Sequence, residues 1–388
     1  MSSKISTTVG LYLHIPFCAR KCAYCDFYSV VGDDALMDAY TKALSKQLTG
    51  TASHVAVPVD TIYFGGGTPS LFGTVRIDGL LQTIQKHYTL TPGAEITLEA
   101  NPDSITPDSL RRWRQSGVNR LSVGVQALDD ARLAGLGRLH TAAQAAQAIT
   151  AARDAGFGNL SVDLLYGLPG QSLADWQDIL RQIVTWPVTH ISGYGLKLEP
   201  GTPLFDAHNG RLPVDDDLIA DQYLCMAGIL ESAGFQQYES SNFAKPGCES
   251  RHNLKYWTLQ PYLGFGPGAH SDFGGRRFAV VRDLNEYING ITTGGDILTS
   301  NEIISPTERI YEYIIFGLRT THGINEAEYN TLSPRPDRRP FDFLAQCQTA
   351  GLAVQSGDRW RLTPKGFLVS NQIIGRILDK NGDPPCTP

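Results

Sequence analysis

Cys18, Cys22 and Cys25 sit in the segment His14-Ile-Pro-Phe-Cys18-Ala-Arg-Lys-Cys22-Ala-Tyr-Cys25-Asp-Phe27, a CxxxCxxC pattern. Thiolates are soft ligands that suit iron–sulfur clusters. Three of them on one short loop can each hold one iron of a cubane, leaving the fourth iron open to a small molecule. A structural zinc site normally takes four ligands with a second ligand pair downstream. No second cysteine pair follows here, and His14 is the only histidine nearby. A disulfide framework fits poorly as well. The chain has 7 cysteines, an odd number, and Cys225, Cys248, Cys347 and Cys386 are scattered singly. That usage suits reduced thiols and a cytoplasmic setting. Cys225 and Cys347 read as buried helix residues, and Cys386 as part of a frayed tail.

These cysteines need a rigid frame. Apolar runs near 10–15, 61–65, 95–99, 120–125, 159–166 and 190–196 read as short strands. Helical patterns at 34–48, 75–87, 106–115, 142–155 and 172–185 lie between them. Thr106-Pro107-Asp108 is a start signal and Ala155-Gly156 a stop signal. Such alternation predicts βα units around a parallel sheet. Six units end near residue 200, short of the eight of a full barrel. The expected fold class is therefore α/β, a partial (β/α)6 barrel, with functional residues at the carboxyl ends of its strands. Gly65-Gly66-Gly67 falls at one such end, where glycine permits positive φ and close backbone approach. Glu99 and Gln126 end strands, and Asp163 lies late in the fifth.

Beyond Pro203 the rhythm changes. Residues 215–233 predict one long amphipathic helix, and 236–271 read as an irregular, Gly- and aromatic-rich stretch. Helices at 308–318 and 341–350, a hairpin over 352–366 and a final helix over 367–378 follow. The 388 residues are 42% hydrophobic and 19% charged, ordinary for a globular protein. A net charge of −6 without a basic run argues against nucleic acid as a partner. The first ten residues lack an apolar signal core, and no run of about 18 apolar residues predicts a membrane span. Peripheral association with a membrane surface stays open.

The cysteine loop followed by Gly65-Gly66-Gly67-Thr68-Pro69 resembles the radical S-adenosylmethionine (SAM) superfamily. Leu11-Tyr-Leu-His-Ile-Pro-Phe-Cys18, Tyr63-Phe-Gly-Gly-Gly-Thr-Pro-Ser70, Leu98-Glu-Ala-Asn-Pro102, Leu121-Ser-Val-Gly-Val-Gln126 and Val162-Asp-Leu-Leu-Tyr-Gly-Leu-Pro169 are similar to the oxygen-independent coproporphyrinogen dehydrogenase group. Arg251-His252-Asn253-Leu-Lys-Tyr256-Trp257 resembles the HNxxYW pattern of its heme chaperone branch. The resemblance covers nearly the whole chain. It implies a radical-SAM barrel over 1–205, an α+β extension over 206–300 carrying the HNxxYW segment, and a winged-helix-like domain over 301–388.

The same resemblance implies a [4Fe–4S] cluster on Cys18, Cys22 and Cys25. Around SAM it implies Tyr12, Tyr24, Gly66, Gly67, Thr68, Glu99, Gln126, Arg138 and Asp163, with Lys197 a weaker match. Arg138 would suit a ligand's negative groups, the glycine carbonyls its ammonium. Plain structural roles compete: Glu99 as a helix cap, Asp163 paired with Arg138, His14 as a satisfied strand residue. His252 is implied as a heme ligand, with Tyr256 and Trp257 able to stack on a porphyrin; His270 is a second candidate. Equally, His252 reads as hydrogen-bonded within a packed loop.

Two functions compete. One is oxidative decarboxylation of coproporphyrinogen III to protoporphyrinogen IX. The other is a heme chaperone delivering heme to apo-proteins of respiration, with a flavodoxin or ferredoxin as electron donor. The dehydrogenase typically has a fourth cysteine where this chain has Phe27, and a longer segment before its cysteine loop. With the HNxxYW match, these departures favour the chaperone and assign no catalytic residue.

Overall fold

The computed structural model describes residues 7–333 and 337–379; Cys386 lies outside them. Six strands run parallel, each returning through helix: β1 (Val9–Ile15), α1 (Asp34–Ala52), β2 (Val59–Gly66), α2 (Thr74–His87), β3 (Leu90–Ala100), α3 (Pro107–Ser116), β4 (Arg120–Gln126), α4 (Asp130–Gly135), α5 (Ala142–Asp154), β5 (Asn159–Tyr166), α6 (Leu173–Ile183) and β6 (His190–Gly195). Local chemistry sets these boundaries. Thr106 and Ser109 form a reciprocal capping box at the start of α3, and Gly117 ends it at φ 105°. Ser172 and Asp175 do the same for α6, whose Trp176, Ile179, Leu180 and Ile183 bury one face.

The strands have two unlike faces. Leu11, Leu13, Ile62, Phe64, Leu98, Leu121, Val123, Leu160, Val162 and Ile191 belong to the apolar core shared with the helices. The alternating positions are largely polar or aromatic: Tyr12, Tyr63, Glu99, Ser122, Gln126, Asp163 and Tyr194 line a hollow inside the barrel. A period of two separates hydrophobic packing from chemistry along every strand.

After β6 come α7 (Pro203–Ala207) and α8 (Asp216–Ser232), then β7 (Gln236–Gln237), β8 (Asn242–Ala244), α9 (Arg251–Trp257), β9 (Tyr262–Phe265), β10 (His270–Phe273), β11 (Arg276–Val280), α10 (Leu284–Thr293) and β12 (Leu298–Ile303). The stretch expected to be irregular is thus built of short elements. They extend the barrel sheet at both edges: among the described residues one 12-stranded sheet runs β12-β11-β10-β9-β1-β2-β3-β4-β5-β6-β8-β7. Residue 205 therefore marks no break in the sheet. The short strands escaped the sequence reading because two to six residues carry too little periodicity.

The C-terminal part holds α11 (Pro306–Gly317), β13 (Ile324–Asn325), α12 (Glu326–Leu332), α13 (Arg339–Thr349), β14 (Ala353–Ser356), β15 (Arg359–Leu362), α14 (Pro364–Leu368) and α15 (Ser370–Leu378). The hairpin is present, joined by β13 into a three-stranded sheet. The single final helix is not: Val369, at φ −111° and ψ 22°, divides it in two. Asp272 and Arg277 from β10 and β11 interlock with Arg309 and Glu312 of α11, tying this part to the barrel extension. Cys347 is buried, whereas Cys225 on α8 is half-buried rather than buried.

Candidate cluster and cofactor cavity

The cysteine loop lies over the carboxyl ends of the strands and is pinned to β2 by main-chain bonds. Gly67 N–H donates to the Ile15 carbonyl at 2.8 Å and Thr68 N–H to the Phe17 carbonyl at 2.7 Å. A Cβ on Gly67 would stand 2.7 Å from the Phe17 oxygen, so only glycine allows this approach. Gly66, at φ 116°, abuts the His14 ring. Below the loop is a cavity of about 500 Å³. Cys18, Cys22 and Cys25 line it together with Tyr12, Tyr24, Gly66, Gly67, Thr68, Glu99, Gln126, Arg138 and Asp163.

The polar groups hold one another in place. Thr68 donates its hydroxyl to Cys18 Sγ at 3.5 Å. Arg138 reaches Cys22 Sγ at 3.7 Å and donates through Nη2 to Asn101 Oδ1 and the Gly124 carbonyl, both at 2.7 Å. Glu99 accepts from Tyr63 Oη at 2.7 Å and Gly66 N at 3.1 Å. Burial, reinforced by neighbouring Asp163, pushes the Glu99 carboxyl up to about 7. Asp163 accepts from Ser122 at 3.2 Å, and burial raises it too. The structure thus shows neither a capping Glu99 nor a direct Asp163–Arg138 pair. Gln126 has φ 68°, a rare value for a non-glycine residue and one that tends to occur at functional sites.

Sequence reasoning missed Arg120, Asn101 and Tyr194. Arg120 is 1% exposed and stands under Glu99 and Asp163 as their buried counter-charge. As the first residue of a strand it carried no signal beyond facing inward. Asn101 links Thr68 to Arg138.

His14 is a satisfied residue. Its Nε2 donates to the Tyr28 carbonyl at 3.0 Å, leaving Nδ1 to accept from Tyr12 Oη at 3.1 Å. Burial holds it neutral, with its pKa lowered to about 4.

The HNxxYW segment is not a loop but the helix α9, and it closes the amino-terminal end of the barrel. Glu95 accepts from the Arg251 and His252 backbone N–H groups at 3.2 and 3.1 Å, anchoring the helix start. Asn253 and Tyr256 face the cavity. His252 lies beneath it, fully buried. Its Nδ1 bonds Thr61 Oγ1 and its Nε2 bonds Tyr256 Oη, both at 2.8 Å. Burial, with Lys255 and Arg120 nearby, lowers its pKa to about 3. Trp257 packs edge-on against Phe316 of α11. His270 is exposed on β10.

Three cysteines around a cavity fit a cubane rather than a single ion. Among the described residues no three His, Cys, Asp or Glu side chains gather tightly enough for one metal. A cubane asks each thiolate to reach a different iron, so the sulfurs must stand further apart than a mononuclear shell. A partial parallel barrel with a three-cysteine loop over a polar cavity defines a radical SAM protein. The radical SAM superfamily model matches residues 12–183, and the HemN C-terminal domain model residues 304–369.

The chain is 34% identical to the heme chaperone HemW of Bacillus subtilis over 95% of this chain and 98% of that protein. It is 33% identical to the heme chaperone HemW of Escherichia coli over 95% and 98%. It belongs to that heme chaperone HemW family. The solved coproporphyrinogen III oxidase HemN of Escherichia coli, described as a radical SAM enzyme, superposes with a TM-score of 0.82 over 96% of this chain and 90% of its own, at 22% identity. That likeness establishes the shared fold. Superfamily membership implies a [4Fe–4S] cluster and SAM.

Proposed function

We propose that the protein is a heme chaperone that binds a [4Fe–4S] cluster on Cys18, Cys22 and Cys25, holds SAM beside it, and delivers heme to apo-hemoproteins of respiration. The observation that carries this reading is the end-to-end match to relatives named heme chaperone HemW. When bound, cluster and SAM supply one-electron chemistry at a sulfonium. The chain's own residues orient and shield that chemistry. Glu99, with its pKa near 7, can accept hydrogen bonds as a carboxylate or donate one as an acid. Arg138, fixed by Asn101 and Gly124, presents its positive charge beside Cys22. α9 seals the floor against water.

Phe27 stands exposed on the cysteine loop, near exposed Arg20 and Lys21. An apolar and basic surface beside a cluster suits an acidic electron donor such as a flavodoxin or ferredoxin. Among the described residues no helix is long and apolar enough to cross a membrane. Six described cysteines are free, which suits a reducing, cytoplasmic setting.

The test is an anaerobic assay of reconstituted protein with coproporphyrinogen III, SAM and a reductant, with heme titrated in parallel. Stoichiometric heme binding without protoporphyrinogen formation is expected. Decarboxylation with turnover would make this a biosynthetic enzyme and overturn the chaperone reading.

A further inference from the structure

The chain does not pass straight from β6 to α8. Residues 199–213 first reach out to the cysteine loop, form α7 there, and return. Within this strap only Thr202 is buried, and α7 buries none of its five residues. Left-handed backbone brackets the helix, with Gly201 at φ 84° before it and Asn209 and Gly210 at φ 50° and 73° after it. A Cβ on Gly201 would meet nothing within 4 Å, so glycine serves conformation alone at that corner.

The strap is tied to the rest of the molecule at one point. Thr202 caps α7 and Pro203 opens it, which leaves the Leu204 N–H without a partner inside the helix. It donates to the Ala23 carbonyl at 2.9 Å. Among the described residues this is the one hydrogen bond that leaves 199–213. Leu204 and Leu212, both half-buried, pack on a small satellite core around Leu133, Leu136 and Leu165, and Tyr24 of the cysteine loop packs on the same core. The returning limb, residues 210–212, borders an open groove of about 1010 Å³. Few buried contacts and a single outward bond place the strap among segments that open locally before the fold does.

Its tether falls at a telling place. Ala23 lies between Cys22 and Cys25. The Cys25 N–H closes that turn on the Cys22 carbonyl at 3.3 Å, and the Ala23 N–H donates to the Leu136 carbonyl, just past α4, at 3.0 Å. The turn bearing two of the three thiols is thus gripped between α4 and the strap. Cys18 is fixed separately: its N–H donates to the Val30 carbonyl at 3.0 Å and its Sγ accepts from Thr68. The strap therefore acts on Cys22 and Cys25 and not on Cys18.

We propose that residues 199–213 are a movable brace on the cysteine loop, with Leu204 the positioning residue that holds the Cys22–Cys25 turn in register for the cluster. The inference rests on the reading of that loop as the cluster site. Closed, the brace keeps two thiolates on their irons; its opening loosens the turn and sets the rate at which iron is lost.

The experiment uses the full-length protein with Leu204→Ala, Leu212→Ala, Leu204→Met and, as a control, Leu368→Ala, which borders the groove from α14 without belonging to the strap. Transfer of iron from the reconstituted protein to a chelator is timed anaerobically. Hydrogen exchange is read on the apoprotein. Each strap alanine should speed iron loss roughly tenfold, the equivalent of about 1.4 kcal/mol. Both should also raise exchange in peptides covering 19–28. Leu204→Met should restore the wild-type rate, because the swap conserves apolar volume, and Leu368→Ala should keep it. Wild-type iron loss in both strap alanines would overturn the proposal. So would a wild-type strap that exchanges as slowly as α8, or faster iron loss with unaltered exchange over 19–28. A wild type that takes up no iron would overturn the cluster reading, while exchange in the apoprotein would still decide whether the strap holds the turn.

Discussion

At the carboxyl end of the barrel strands, the three cysteines are half-buried and free, and Gln126 holds a left-handed backbone. At the amino end, within the same strands, Thr61, Glu95, His252 and Lys255 are buried and each has a partner: Lys255 Nζ meets Asp60 Oδ1 at 2.8 Å, and Thr61 and Glu95 hold His252. Both ends carry residue types that do chemistry. What separates them is access. At the floor α9 covers the polar groups and His252 is fully buried, whereas the cysteines line an open cavity. Ligands can reach the rim without any element moving.

Four substitutions can break or sharpen this contrast. Cys22→Ser at the open rim should abolish cluster incorporation, read as loss of cluster absorbance and iron after anaerobic reconstitution, with the fold retained. Wild-type iron content in that variant would remove Cys22 from the ligand set. At the closed floor, Lys255→Ala leaves Asp60 without its buried partner and should destabilise the apoprotein by about 3–5 kcal/mol in denaturant unfolding. A loss below about 1 kcal/mol would show that the floor is solvated rather than sealed.

Glu99 should leave a pH signature. Its carboxyl titrates near 7 in the fold against a reference value of 4.5. The native state thus holds the proton more tightly, so this contribution is fully present below about pH 4.5 and is lost as pH rises through 7. The change amounts to roughly 3 kcal/mol. Glu99→Gln should flatten the stability profile of the apoprotein across that window; an unaltered slope would mean that Glu99 ionises normally. The smallest effect should come from Tyr256→Phe, which removes one hydrogen bond to His252 Nε2. It should cost about 0.5–1.5 kcal/mol, seen as a modest fall in Tm. No change would mean that water replaces the hydroxyl.

Much of the barrel was legible in advance because its elements are long and periodic. Helices such as α3 and α6 carry their own caps, and strand ends coincide with Gly65-Gly66-Gly67, Glu99 and Gln126. The elements between β7 and β12 were not legible. Gln236–Gln237 or Asn242–Ala244 become strands only because β6 already offers an edge to pair with. The motif at 251–257 was visible as residues but not as a plug, since its role depends on Glu95, Thr61 and Asp60 from distant strands.

The sequence by itself determined the chemistry of the rim: three thiols at fixed spacing, a glycine run on a strand end, and Glu99, Gln126 and Asp163 at or near the ends of strands. These follow from periodicity and ligand type, which are local properties. Only the tertiary structure decided which polar groups remain available. It sealed His252, buried Arg120 beneath two carboxylates, and opened a groove beside Tyr194 from segments far apart in the chain. Burial and partnership arise from long-range packing, and no window of sequence contains both sides of such a contact.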